Sequence, residues 1–282
     1  MNSRIALSAL VTIGAVLAAQ PASAHDFWIS LDSWHVPDEA TVQVDLLVGT
    51  GAEPEQWKLR PERVVAFRSI APDRTLIDHT AGLDAATSPK LPDATVRLTG
   101  EGSHLLVFES TPALSELAAT AFDDYVAHEG LKDVATHRAN LKTSGTPGRE
   151  LYARRAKALV QIGTACSANV LQPQGLALEI VPLVNPHCPD GDSLPVEVRF
   201  RGQPLAGALV RMENLSSPAG EIEQRTNAGG RVVFAMPKAD NWKISLVWSV
   251  PIEDSKQAEY DTLFSSLSFG FAGGPRYAGP SR

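Results

Sequence analysis

Thr41-Val-Gln-Val-Asp-Leu-Leu-Val48 alternates apolar and polar side chains in its first half and turns almost wholly apolar in its second. A strand reads this way when it starts on a half-exposed sheet and runs into a buried one. Gly49 to Pro54 breaks the run, and the same rhythm returns in Val64-Val-Ala-Phe67, Ala94-Thr-Val-Arg-Leu98 and His104-Leu-Leu-Val-Phe108, with Pro, Gly and Asp between them. The N-terminal part of the chain is therefore expected to be β.

The period changes between about residues 112 and 156. Ser115 to His128 and Leu131 to Leu141 are rich in Ala, Leu and Glu, Gly130 separates them, and Thr143-Ser-Gly-Thr-Pro-Gly148 stops the second. Arg149 to Ala156 reads as a short basic helical turn before Ala158-Leu-Val-Gln-Ile162 resumes as a strand, and Leu176 to Val181 adds another. Pro182 to Ser193 has linker character, and beyond it short strands are expected at Pro195 to Phe200, Ala208 to Met212, Glu221 to Thr226, Arg231 to Ala235 and Trp242 to Trp248. The expected fold is mainly β, with two β-sandwich-like domains, one over 25–184 carrying the helical insertion and one over 192–271, followed by a tail over 272–282.

Ahead of these elements lies a leader pattern. Arg4 supplies a positive charge, Ile5 to Ala19 is apolar, and Ala22-Ser23-Ala24 is a small-x-small cleavage site, so 1–24 reads as a signal peptide and the protein as periplasmic. Cleavage after Ala24 leaves His25 first, with a free amine and an imidazole on one residue, two nitrogens able to chelate one metal ion. Cleavage after Ala22 would instead leave Ser23-Ala24-His25, which binds Cu or Ni through backbone nitrogens.

The chain of 282 residues carries a formal charge of −7, which leaves no basic footprint for nucleic acid. Its two cysteines, Cys166 and Cys188, are too far apart for a Cys-x-x-Cys site. In an oxidising compartment a disulfide between them competes with two buried thiols. A Gly-x-Ser-x-Gly elbow, a phosphate-binding glycine loop and a His-Glu-x-x-His helix are all missing, and Asp123-Asp124 sit on adjacent helical positions that face different ways.

Gly202-Gln-Pro-Leu-Ala-Gly-Ala-Leu-Val210 followed by Thr226-Asn-Ala-Gly-Gly-Arg-Val-Val-Phe234 resembles transthyretin-like or carboxypeptidase-regulatory-like domains. A wider set of segments, in order, is His25-Asp-Phe-Trp28, His104-Leu-Leu-Val-Phe108, Tyr125…Glu129-Gly-Leu131, Tyr152…Gly163, Gly175 to Pro182 and Ser266-Leu-Ser-Phe269. Together they resemble a bacterial periplasmic domain-of-unknown-function family associated with cobalt and nickel uptake, described as NikK-like or NikM-like. The resemblance covers nearly the whole mature chain and implies two β-rich domains that bind a divalent transition metal. Many relatives carry a histidine in the strand matching Val247-Trp248-Ser249, and this chain has none there.

The expected ligand is thus a Ni or Co ion, with Cu an alternative, because imidazole suits these metals and no oxygen cage for Mg or Ca is evident. The candidate metal residues are His25 first, then His104, which opens an apolar strand, then His79 in Ile77-Asp-His-Thr80, with Asp26 as a weak ligand or as the group that orients an imidazole. His35 reads as an edge residue beside Trp34, His128 and His137 as solvated helix residues, and His187 as a ligand only if Cys188 is free. The implied activity is binding rather than catalysis, with the ion passed to a membrane metal transporter or an outer-membrane receptor. A histidine-brace copper oxygenase and a metal-free scaffold or adhesion protein are the alternatives. Protein secreted through its own leader should have the intact mass of a chain starting at His25, and a mass starting at Ser23 would replace the two-nitrogen chelate with the backbone one.

Overall fold

In the computed structural model, which describes residues 26–83, 91–217 and 220–271, the alternating runs build three sheets. The first strands are β1 (Asp26–Leu31), β2 (His35–Val36), β3 (Ala40–Gly49), β4 (Pro54–Gln56), β5 (Val64–Ile70), β6 (Leu76–Asp78), β7 (Ala94–Leu98), β8 (Gly102–Ser110) and β9 (Ala113–Leu117). Helices α1 (Ala119–His128) and α2 (Lys132–Leu141) come next, then β10 (Gly148–Ile162) and β11 (Leu178–Pro182). The chain ends in β12 (Ser193–Phe200), β13 (Gln203–Pro204), β14 (Leu209–Asn214), β15 (Glu221–Arg225), β16 (Arg231–Ala235), β17 (Asn241–Pro251) and β18 (Tyr260–Gly270).

A ten-stranded sheet forms the middle layer, in the order β15-β14-β17-β18-β10-β8-β5-β6 with β2 and β9 also on β10. Its strands come from both halves of the sequence, joined where β10 and β18 run parallel from Glu150 opposite Tyr260 to Ala158 opposite Ser268. Side-chain alternation then decides what each face meets. Leu105, Val107, Leu159, Ile244, Leu246, Leu263 and Leu267 pack on one side against Leu178, Ile180, Val196 and Val198 of the sheet formed by β11, β12, β13 and β16. On the other side Leu106, Phe108, Ala156, Ala158 and Val160 pack against Phe27, Ile29, Val42, Val44 and Val96 of the sheet formed by β1, β3, β4 and β7.

That second sheet covers only part of its face, and the helices cover the rest. Neither helix has a side-chain N-cap bond, so their order comes from packing rather than capping. Phe122, Tyr125, Val126 and Val134 bury against Val247, Tyr260 and Phe264. The approach is close enough that a Cβ on Gly148 would lie 2.3 Å from the Phe122 ring. Gly130, at φ +63°, turns the chain out of α1 in the left-handed conformation that ends many helices.

The helical segment is shorter than its sequence suggests. Residues 113–117 are strand, paired with the start of β10, and Arg149–Ala156 is not a helical turn but the first half of that strand. Local composition loses there to pairing, since Glu150 to Tyr152 are bonded on both edges, to β9 and to β18. Cys166 and Cys188 form a disulfide across 22 residues, which in the chain-entropy account contributes about 3 kcal/mol. The loop it closes is held to the middle sheet by Asn169 and Asn185, whose amides donate to the Ser103 carbonyl and hydroxyl. Among the described residues no helix is long and apolar enough to cross a membrane.

One buried carboxyl sets a pH dependence. Asp93 is 1% exposed, accepts the Leu46 N–H through Oδ2, and leaves Oδ1 without a partner among the described residues. Burial, with the Asp45 charge adding to it, pushes its pKa up from 3.8 to about 6. Between these values the folded chain holds a proton that the unfolded chain has released, so this group's contribution is present below the lower value and lost as pH rises through the upper one. Asp93→Asn should therefore stabilise the protein at pH 8 by roughly 1–3 kcal/mol and flatten this part of the stability profile. Urea unfolding at several pH values checks it, and a less stable Asp93→Asn at pH 8 would show that the charge is better compensated than its surroundings indicate.

Candidate metal-binding region

Asp26 is where the described chain begins, and its side chain does not face open solvent. Antiparallel pairing with Gly49 at the end of β3 brings it over β17, where Lys243 Nζ lies 2.7 Å from Asp26 Oδ2 and Ser245 Oγ donates to the same oxygen at 2.8 Å. Lys243 is 1% exposed, stands 3.0 Å from Glu213 Oε2 on β14, and is 4.6 Å above the ring of Trp28. Glu213 also accepts the Gly51 N–H, and a Cβ on Gly51 would lie 2.5 Å from its Oε1, so a side chain there would displace the Glu213 carboxylate. One lysine thus ties the first strand, the β3–β4 turn and the middle sheet together.

The neighbouring strands extend the network. In register, Glu213 sits between Lys243 of β17 and Glu221 of β15, and Arg211 between Ser245 and Glu223. Arg211 Nη1 reaches Glu129 Oε2 at 2.6 Å, its Nε lies 3.0 Å from Glu221 and 2.9 Å from Glu223, and its Nη2 donates to the His128 carbonyl. A cation there suits the partial negative charge at the end of α1. These contacts bring the helical insertion to the same place as the first strand.

Burial decides the electrostatics. It opposes the charge on Asp26, but Lys243 and Ser245 hold that carboxyl below its usual range. It also opposes the charge on Lys243, yet Asp26 and Glu213 hold that amine above its usual range. Glu129 goes the other way: burial outweighs Arg211, Asp26 and Glu221 add repulsion, and its pKa rises from 4.5 to about 7. Five carboxylates (Asp26, Glu129, Glu213, Glu221 and Glu223) share two cations, a formal excess of three negative charges that falls to two when Glu129 is protonated.

His25, the first choice from sequence, lies outside the described residues. His104 is 1% exposed, its Nε2 is 2.8 Å from the Gly100 carbonyl, and burial lowers its pKa. It stands on β8, three strand spacings from β17, or about 14 Å at the usual ~4.8 Å per strand. His79 bonds Ser69 Oγ at 2.8 Å and packs on Phe67, near the far edge of the same sheet. The geometry brings neither to Asp26. The histidine it does bring there is His128, whose exposed imidazole lies 3.8 Å from Glu129 Oε1. Nothing in its helical spacing marked it, although Tyr125…Glu129-Gly-Leu131 is among the resemblance segments. His187 is half-buried, bonded at Nε2 to the Gly270 carbonyl, and Cys188 beside it is in the disulfide. His137 is half-buried, with Nδ1 3.1 Å from the Tyr260 hydroxyl. Among the described residues no group of three or more His, Cys, Asp or Glu is arranged to hold a metal ion.

Removing the lysine alone should be costly. Lys243→Met leaves Asp26 and Glu213 buried without their cation and should lower stability by about 3–5 kcal/mol. Adding Asp26→Asn and Glu213→Gln removes the stranded charges and should restore most of that loss. Denaturant unfolding at pH 7 decides it, and a single variant within about 0.5 kcal/mol of wild type would mean the network does not hold the first strand.

No curated protein matches the sequence. Among solved structures the D0–D1 domain of intimin is similar over 86% of this chain and 97% of its own, at 9% identity and a TM-score of 0.20, too low to carry an argument. A family profile described as "Domain of unknown function (DUF4198)" matches residues 22–250, from the expected cleavage site through nearly all of β17. The match includes both the strand that Asp26 opens and the strands that bury Lys243 and Arg211, and the chain belongs to this family.

Proposed function

We propose that the exported chain, cut after Ala24, is a periplasmic carrier of a divalent transition ion, Ni or Co with Cu an alternative, that supports metal uptake. The amine and imidazole of His25 hold the ion first, and it is handed on to a membrane transporter or outer-membrane receptor. The association with NikK-like or NikM-like proteins belongs to the same proposal. The observation that carries it is the position of Asp26. Asp26, the next residue in sequence after His25, is fixed by Lys243 in a network where carboxylates outnumber cations, and the exposed His128 lies 3.8 Å from Glu129 of that network. His128, Glu129 and Glu221 are the side chains we assign as candidates to complete the coordination. Asp26 serves as the anchor, since Lys243 and Ser245 already occupy its Oδ2. A carrier needs release as well as affinity, and a protonatable Glu129 beside the site suits that.

Both nitrogens of His25 must be deprotonated to coordinate, and their unperturbed pKa values are about 7.7–8.0 and about 6.5. Affinity for Ni(II) should therefore fall as pH drops from about 8 toward about 5, with protons released on binding near neutrality. Titration of the correctly processed protein should show a loss of about 100-fold for His25→Ala and about tenfold for His128→Ala. His104→Ala and His79→Ala should bind as wild type. Equal affinity in wild type and His25→Ala would overturn the proposal.

A further inference from the structure

Next to the acidic network lies a pair of arginines with no acid within ion-pair distance among the described residues. Arg154 of β10 carries its guanidinium 5.4 Å from the Phe27 ring, 6.0 Å from Trp57, 5.1 Å from Tyr152 and 5.6 Å from Phe264. Arg63, in the turn before β5, lies 5.1 Å from the Tyr152 ring and 5.9 Å from Trp57. Arg63 donates from Nη1 to the Tyr152 hydroxyl and from Nη2 to the Thr111 carbonyl, while its Nε is enclosed and unbonded. Arg154 has two enclosed nitrogens, Nε and Nη1, without a hydrogen-bond partner among the described residues, and its third, Nη2, is not among the enclosed ones.

The nearest acids, Asp26 and Glu150, attract Arg154 but are bonded to other groups. Asp26 is held by Lys243 and Ser245, and the buried Glu150 receives the Tyr125 hydroxyl at 3.4 Å. No carboxylate of the described residues lies within ion-pair distance of either guanidinium, whereas the adjacent Arg155 shares Glu109 with Arg68. Burial pushes the Arg154 pKa down to about 10, which still leaves it charged at neutral pH. Ring faces compensate part of that desolvation but use none of the guanidinium N–H donors. Arg63, Tyr152 and Arg154 are each only half-buried, so the cluster can be reached from solvent.

We infer that Arg63 and Arg154 form a binding site for the carboxylate of a small organic anion with a flat, unsaturated body. Planar guanidinium donors match a planar carboxylate, and the half-buried Tyr152 between them is the ring that a ligand's body can reach, while Phe27, Trp57 and Phe264 are buried and back the guanidiniums. A tetrahedral oxyanion would find no helix N-terminus or run of backbone N–H groups among these residues. This inference does not rest on the metal reading.

Benzoate is the probe, with benzamide and sulfate as separate arms, titrated into the full processed protein by calorimetry and by tryptophan emission. Benzoate should bind saturably and change an emission component that Trp57→Phe removes. Benzamide and sulfate should bind at least about tenfold more weakly, and Arg63→Gln and Arg154→Gln should each weaken benzoate by about tenfold or more. Should Arg154→Gln fail to fold, Arg63→Gln decides alone, because Arg63 is half-exposed and lies in a turn. Absence of saturable benzoate binding, unchanged affinity in Arg63→Gln, or sulfate binding as tight as benzoate would each overturn the inference.

Discussion

Fifteen consecutive residues, Gly148–Ile162, form one strand with four partners, and the rest of the molecule depends on satisfying it. β9 and β8 follow one another along one edge, β18 and β2 along the other. The second half of β10, 156–162, is buried at every position, so both of its faces are covered. The β11, β12, β13 and β16 sheet covers one face. The other needs two covers, the small N-terminal sheet over Ala156 to Ile162 and the helical pair beside Tyr152. The seam between those covers is where the charged residues collect.

That seam also explains what could and could not be read from the sequence. The strands at 41–48, 94–98 and 231–235 were legible because their alternation matches a sheet with a covered and an open side, and 104–108 because it is an apolar run buried on both faces. Arg149–Ala156 was not, since a basic, Ala-containing stretch is equally suited to a helix, and only the partners on either edge make it a strand. Arg211, Glu213 and Lys243 were misleading for a different reason. They alternate with Val210, Met212, Ile244 and Leu246 as a solvent face would, yet they are 4%, 5% and 1% exposed because a further layer lies over them. Sequence periodicity reports which residues share a face, not whether that face meets water.

The candidate site divides in the same way. The leader and His25 are expectations from local pattern that lie outside the described residues, and Asp26, expected as a weak ligand or as the group that orients an imidazole, bonds Lys243 and Ser245. His104 and His79 had plausible local settings, but each is occupied by a nearby oxygen and stands on a different part of the middle sheet. His128 reaches the seam only because Arg211 holds the end of α1, and that contact spans 83 residues of sequence. No spacing rule within a helix contains that information.

A buried ion pair is often no more stable than apolar residues of the same volume, so stability alone does not account for this seam. Lys243, Arg211, Glu129, Glu150 and Arg154 all pay a desolvation cost within one region, and burial opposes the charged form of each. The two halves of the region are not equivalent. Around Lys243 and Arg211 acids outnumber bases, so a cation arriving there meets partners already in place. Around Arg63 and Arg154 the nearest acids, Asp26 and Glu150, attract Arg154 from beyond ion-pair distance, so guanidinium donors there are desolvated without a direct partner. An acid-rich half and an arginine-rich half thus lie side by side around Phe27, Trp57 and the start of β1, and concentrated, perturbed ionisable groups of this kind are more common at functional sites than in structural cores.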